Sequence, residues 1–154
     1  MVRLSELVQP EFVHLGVEAE TKEELMERLV DSLVAQGRVA DRTSVLSSLV
    51  ERERVMSTGI GRGVAIPHAQ SGGAKTLTVS IARPSQPLDF GSVDHEPVRL
   101  VFLVTGPEER GGFIRVLARI SRLLCSSGLQ ERVLGATDPN AVVTALTEEE
   151  DALG

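Results

Sequence analysis

An α/β fold is predicted: one domain of 154 residues in which a mixed β-sheet is sandwiched between helices on both faces. Three observations carry this. Segments with apolar residues at helical spacing interleave along the chain with short strand-like runs. The run from Val98 to Val104 is apolar almost without a break, as expected for the central strand of a sheet covered on both sides. No internal repeat, low-complexity linker or shift in composition divides residues 1–154, and 42% hydrophobic content suffices for a core without metal or disulfide.

The elements follow in order. Glu11 to Val17 is the first strand, with Phe12 and His14 on the face opposite Val13 and Leu15, which gives His14 a structural place. Thr21-Lys22-Glu23-Glu24 is a capping box, and Leu25, Leu29 and Leu33 recur at helical spacing until Gly37. Asp41 caps the next helix, whose stripe is Val45, Leu46, Leu49 and Val50 and whose last turn runs from Glu51 to Arg54. After a glycine-rich stretch, Gln70 to Ala74 lacks an apolar anchor and is expected to be a mobile loop. Leu77 to Ile81 alternates as a strand; Pro84, Pro87, Gly91 and Asp94 make a turn-rich connection, with His95 in a solvated turn. Glu108 to Ser126 is a helix with Phe113, Val116, Leu117, Ile120 and Leu124 inward and Arg115, Arg119 and Arg122 on another face. That basic stripe is expected to be solvated or paired with acidic neighbours, and Cys125 to be a small buried hydrophobe. Gly128 opens a short helical turn through Leu134, and Asp138-Pro139 caps a last helix from Asn140 to Leu146. Residues from about 147 to 154, which include Glu148 to Asp151, read as a solvated acidic tail.

The chemistry is placed in Ser57-Thr58-Gly59-Ile60-Gly61-Arg62-Gly63-Val64-Ala65-Ile66-Pro67-His68-Ala69. Glycines at alternate positions let backbone N–H groups turn toward an anion, and Ser57 and Thr58 add hydroxyl donors. Ser57, Thr58, Gly59, Gly61 and Gly63 are therefore the expected phosphate cradle. Pro67 stiffens the approach to His68, whose neutral imidazole is a nucleophile with a second ring nitrogen left for an orienting hydrogen bond. The combination suggests phosphoryl transfer through a phosphohistidine. A histidine after a strand is, without such context, more often structural. The glycines fit neither a GxGxxG fingerprint nor a P-loop, so no nucleotide site is expected. Arg52, at a helix end just ahead of the cradle, can pair two phosphoryl oxygens with its planar fork, or can simply compensate the helix C-terminus.

The stretch from Arg52 to Ala69 resembles the active-site signature of enzyme IIA of the bacterial phosphoenolpyruvate:sugar phosphotransferase system, in its fructose, mannitol and nitrogen-regulatory branch (type-2 IIA). The resemblance covers the whole chain in order of elements, and the wording is nearer the fructose or nitrogen-regulatory wing. It implies that His68 accepts a phosphoryl group from the carrier protein HPr and passes it to a IIB domain, with Arg52 beside it. An alternative within the same family is a nitrogen-regulatory module, in which phosphorylation controls partner binding rather than sugar uptake. One departure stands out: the family's second histidine, in a His-Leu-x-x-Leu context, is matched here by Phe113. A phenyl ring cannot hydrogen-bond a phosphoryl oxygen. If Phe113 faces His68, it forms an apolar wall and holds His68 neutral, at a helix start expected to tolerate a polar ring.

Composition narrows the partners. The formal net charge is −6, with no basic block and no tyrosine or tryptophan for base stacking, so nucleic-acid binding is disfavoured and a basic protein partner such as HPr is favoured. The three histidines are scattered and Cys125 is the single cysteine, so no metal, cofactor or disulfide is expected. A lone thiol, a charged N-terminus and no apolar run of membrane-span length point to a cytoplasmic protein without direct membrane insertion.

Overall fold

A computed structural model describes residues 3–108, 112–126 and 128–153 of the chain. Two short 3-10 turns, Leu4–Glu6 and Pro10–Phe12, lead into strand β1 (Val13–Val17). The first strand thus begins two residues later than expected. Helix α1 (Lys22–Ala35) starts where Thr21 Oγ1 accepts the Glu24 N–H at 3.1 Å, and α2 (Arg42–Val55) where Asp41 Oδ1 accepts the Ser44 N–H at 3.2 Å. Each such cap satisfies a donor that the first helical turn leaves without a partner, worth about 1 kcal/mol.

The glycine-rich stretch is not a loop feeding one strand. It forms an antiparallel hairpin, β2 (Gly59–Gly61) and β3 (Val64–Ala65), followed by β4 (His68–Gln70). Strands β5 (Thr78–Pro84) and β6 (Leu100–Gly106) complete a six-stranded mixed sheet of order β1-β5-β6-β3-β2. Strand β6 is central, as its apolar run predicts. It runs antiparallel to β5 and parallel to both β3 and β4, which follow one another along its other edge: Val64 lies opposite Leu100, and His68 opposite Val104. Alternation along β6 sends Leu100, Phe102 and Val104 to one face and Val101 and Leu103 to the other.

The first face is covered by α3 (Gly112–Ser126), α4 (Leu129–Gly135) and α5 (Pro139–Leu153), which bring in Val116, Ile120, Leu129, Val133 and Leu146. The second is covered by α1 and α2 through Leu25, Leu29, Leu33, Val45 and Leu49. Helices thus lie on both faces of the sheet. In α2, Leu46 and Val50 are only partly buried; the place inward of Leu49 is taken instead by Glu53.

Other expectations are corrected. The Gln70–Ala74 segment is anchored: Ser71, Gly73 and Ala74 are buried, Gly73 O accepts the Ala40 N–H at 2.8 Å, and the Ser44 and Ser71 hydroxyls meet at 2.7 Å. Glu108 lies in a turn rather than in helix α3, which is described from Gly112; residues 109–111 lie outside the described residues. Cys125 is exposed, although its neighbours Leu123 and Leu124 are in the core. The expected acidic tail is helical to Leu153, and Glu150 is fully buried. Its carboxylate accepts the Leu4 and Ser5 N–H groups at 2.8 and 2.9 Å, which fastens the two chain ends together, and pairs at 2.6 Å with Arg119, one member of the predicted basic stripe. These three partners converge on the acid and offset its desolvation in a way that a lone tail carboxylate could not.

Candidate functional site

The site forms where β4 runs parallel to β6, with Phe113 of α3 beside it. His68 opens β4 and is partly buried. Its Nδ1 lies 2.7 Å from the Ile66 carbonyl oxygen. A carbonyl only accepts, so Nδ1 carries the proton and Nε2 presents a lone pair. Burial lowers the His68 pKa below its ordinary value of 6.5; the Ile66 contact pulls the other way, the Arg52 charge reinforces the lowering, and the Glu53 charge opposes it. The net effect keeps the ring neutral at pH 7.

Arg52, partly buried in the last turn of α2, donates from Nη1 to the Met56 carbonyl at 2.8 Å. Arg52 thus closes the helix C-terminus, as one of its two sequence readings has it, and its charge lowers the His68 pKa. A single N–H is engaged by Met56, and the planar fork has others to offer an anion.

Phe113 does face His68, with ring centroids 6.0 Å apart and planes tilted by 55°. It is 4% exposed and packed in the core with Ile66 and Val104, so its place at the helix start is not one that tolerates a polar ring freely.

The predicted cradle comes apart. Gly61 and Gly63 have φ of 96° and 80° and make the hairpin turn with Arg62, whose N–H donates to Asp94 Oδ2 at 2.8 Å. Gly63 O accepts from Arg99 and Leu100 at the start of β6. His68 sits opposite Val104, four residues further along that strand, which is roughly 13 Å at the rise of a β-strand. These two glycines shape the turn and do not reach the imidazole. Gly59 answers a steric need, because a Cβ there would stand 2.1 Å from Ser92 Oγ; its N–H donates to Ser57 Oγ. Ser57 Oγ in turn donates to Phe90 O, so its hydroxyl is already used. Thr58 is linked to His68 through Ile66, whose N–H its carbonyl accepts, but its hydroxyl and N–H are both taken by Glu53, at 2.6 and 3.0 Å.

Glu53 is the residue that sequence reasoning missed. It is 6% exposed, holds Thr58, and pairs with Lys22 Nζ at 3.1 Å. Its signal in the sequence is slight: position 53 falls four residues after Leu49, on the inward face of α2. His14 and His95 lie elsewhere. His14 is on β1, with Nε2 buried and without a hydrogen-bond partner among the described residues, and His95 is exposed in the turn after Asp94.

Comparison with known proteins agrees with this geometry. Residues 6–149 match the family profile described as phosphoenolpyruvate-dependent sugar phosphotransferase system, EIIA 2. A fructose-specific EIIA component of Haloferax volcanii is 34% identical over 94% of this chain and 95% of its own length. The crystal structure of nitrogen regulatory protein IIA-Ntr from Neisseria meningitidis superposes with a TM-score of 0.84 at 28% identity, covering 92% of this chain and 97% of that one. A complex of IIA-mannitol with phosphorylated IIB-mannitol from Escherichia coli shares the fold, with a TM-score of 0.77 at 22% identity and coverage of 92% and 97%. With the profile spanning nearly all of the sandwich and the signature histidine seated at its strand ends, the chain belongs to the EIIA type-2 family of the phosphoenolpyruvate-dependent sugar phosphotransferase system.

Proposed function

We propose that this protein is a phosphocarrier that takes a phosphoryl group from a phosphorylated HPr-like donor onto Nε2 of His68 and passes it to a IIB domain, in the cytoplasm. The observation that carries this reading is the Nδ1–H contact to Ile66 O, which leaves Nε2 as the nucleophile. In the transfer, the Nε2 lone pair forms the N–P bond while the bond from phosphorus to the donor breaks and its electron pair stays with the donor. Nε2 has no proton to shed, so no general base is required. The ring gains positive character, which the Ile66 carbonyl accommodates at Nδ1. Arg52 supplies charge-assisted donors for the phosphoryl oxygens. Little covalent chemistry is left to the protein, since phosphoryl transfer is mostly positioning and charge stabilisation. The IIB acceptor is supported by the complex of IIA-mannitol with phosphorylated IIB-mannitol, whose IIA has the same fold.

A second reading is a regulatory module of the nitrogen-regulatory kind. Phe113 favours it, because fewer donors surround the phosphoryl group and transfer slows, while a phosphate's roughly −1.5 to −2 charge still changes which partner the face accepts. Incubation with phosphoenolpyruvate, enzyme I and HPr tests the first reading. An acid-labile phosphate should appear in wild type, His14→Ala and His95→Ala and be absent in His68→Ala. HPr-dependent label that IIB then fails to remove would favour regulation; no HPr-dependent label would remove the phosphocarrier reading.

A further inference from the structure

We propose that Glu53 is a positioning residue for phosphoryl transfer, acting on His68 through Thr58 and Ile66 to fix the ring with its proton on Nδ1 and Nε2 toward the donor; this rests on the phosphocarrier reading above. The chain of contacts is continuous. Glu53 Oε1 and Oε2 accept the Thr58 hydroxyl at 2.6 Å and the Thr58 N–H at 3.0 Å. Thr58 O accepts the Ile66 N–H at 3.0 Å. Ile66 O accepts the His68 Nδ1–H at 2.7 Å.

Ile66 needs such an anchor. It lies between β3 and β4, where the chain leaves the β6 ladder: Ala65 still pairs with Val101, and pairing resumes through the Pro67 carbonyl, which accepts the Val104 N–H at 2.9 Å. The peptide that orients the histidine is therefore tied to Thr58 at its own N–H, and Thr58 is tied to Glu53.

The carboxylate itself is rigid. Its side chain is 3% exposed, and Lys22 Nζ holds Oε2 at 3.1 Å while also donating to Phe90 O at 3.2 Å. A buried carboxylate is costly, and an apolar residue would join α2 to the hairpin as well or better. A charge at this place has a further consequence. Arg52 opposes positive character on the His68 ring, while Glu53 favours it, as the Ile66 carbonyl does. Positive character is what the ring gains as Nε2 bonds to phosphorus, so Glu53 supports the ring during transfer without touching the phosphoryl group.

The test uses the full chain with ¹⁵N-labelled histidine. In wild type, the His68 nitrogens should report one tautomer, with the proton on Nδ1. Thr58→Val keeps side-chain volume but removes the hydroxyl donor, and Glu53→Gln keeps shape but removes the charge. Both should give a mixed tautomer population and a single-turnover rate from phospho-HPr lower by roughly ten- to a hundredfold, the loss expected when a reacting atom is misplaced by up to an ångström. Thr58→Ser, which retains the hydroxyl, should restore the single tautomer and most of the rate. If Glu53→Gln does not fold, the two Thr58 variants decide. Folded Thr58→Val with wild-type tautomer and rate overturns the proposal. The tautomer is read without any donor. Wild type that takes no phosphoryl group from HPr overturns the phosphocarrier reading, and this proposal with it; labelled wild type with unaffected variants overturns this proposal alone.

Discussion

Replacing Phe113 with histidine should improve phosphoryl transfer at a cost in stability. The centroid separation of 6.0 Å leaves about 3.5 Å between the facing edges of two rings, so an imidazole at position 113 brings an N–H within reach of a phosphoryl oxygen on Nε2 of His68. One charge-assisted hydrogen bond is worth about 1.5–3 kcal/mol, which corresponds to roughly ten- to a hundredfold in forward rate or in phosphohistidine lifetime. The cost follows from burial. Phe113 is 4% exposed and packs beside Gly106, where a built Cβ would stand 3.5 Å from Phe113 Cδ1, so a polar ring sits tightly with one nitrogen unsatisfied until phosphate arrives. That should lower stability by about 1–3 kcal/mol. Single-turnover transfer from phospho-HPr, decay of the isolated phosphoprotein and urea denaturation measure the three quantities. Identical kinetics and lifetime in Phe113→His, or a wild-type His68 pKa above 6.5, would refute the reasoning and leave Phe113 as core alone.

Three further outcomes are expected. Arg52→Lys should keep the fold, since an ammonium can still meet Met56 O, but slow single-turnover transfer by roughly ten- to a hundredfold through loss of the forked contact; an unchanged rate would assign Arg52 to the helix end only. His68 has its pKa lowered by burial, so the native protein holds it neutral while the unfolded chain protonates it first. The associated stability and the transfer rate should both be full above pH 6.5 and decline as pH falls through the depressed folded value; if His68 titrates as in a free peptide, the stability term is absent and the rate already falls around pH 6.5. Glu150→Ala removes the acceptor shared by Leu4, Ser5 and Arg119 and should cost about 3 kcal/mol in urea denaturation; a wild-type midpoint would mean that the end of α5 is undocked in solution.

Much of the architecture was legible because local chemistry and tertiary packing agree in it. Thr21 and Asp41 announce α1 and α2 by capping, and the unbroken apolar run at β6 announces a strand buried on both faces. His68 and Arg52 could be placed together because the signature carries both, and Phe113 because the resemblance matches it to the family's second histidine. The glycines misled for a physical reason. Alternating glycines serve a tight hairpin as well as an anion cradle, and only the pairing of β3 with β6 shows that Gly61 and Gly63 lie at the far end of the strand from the histidine. Glu53 and Glu150 were missed because a charged residue reads as solvated until its partners are known, and those partners are distant in sequence: Lys22 for one, Leu4, Ser5 and Arg119 for the other.

The most direct measurement is the site of phosphate attachment, read by ³¹P and ¹⁵N NMR on the protein phosphorylated through enzyme I and HPr. The hydrogen bond from Nδ1 to Ile66 O predicts one phosphohistidine, at Nε2 of His68, with the Nδ1 proton still present and hydrogen-bonded. Phosphate on Nδ1 of His68, or on any other residue, would contradict it.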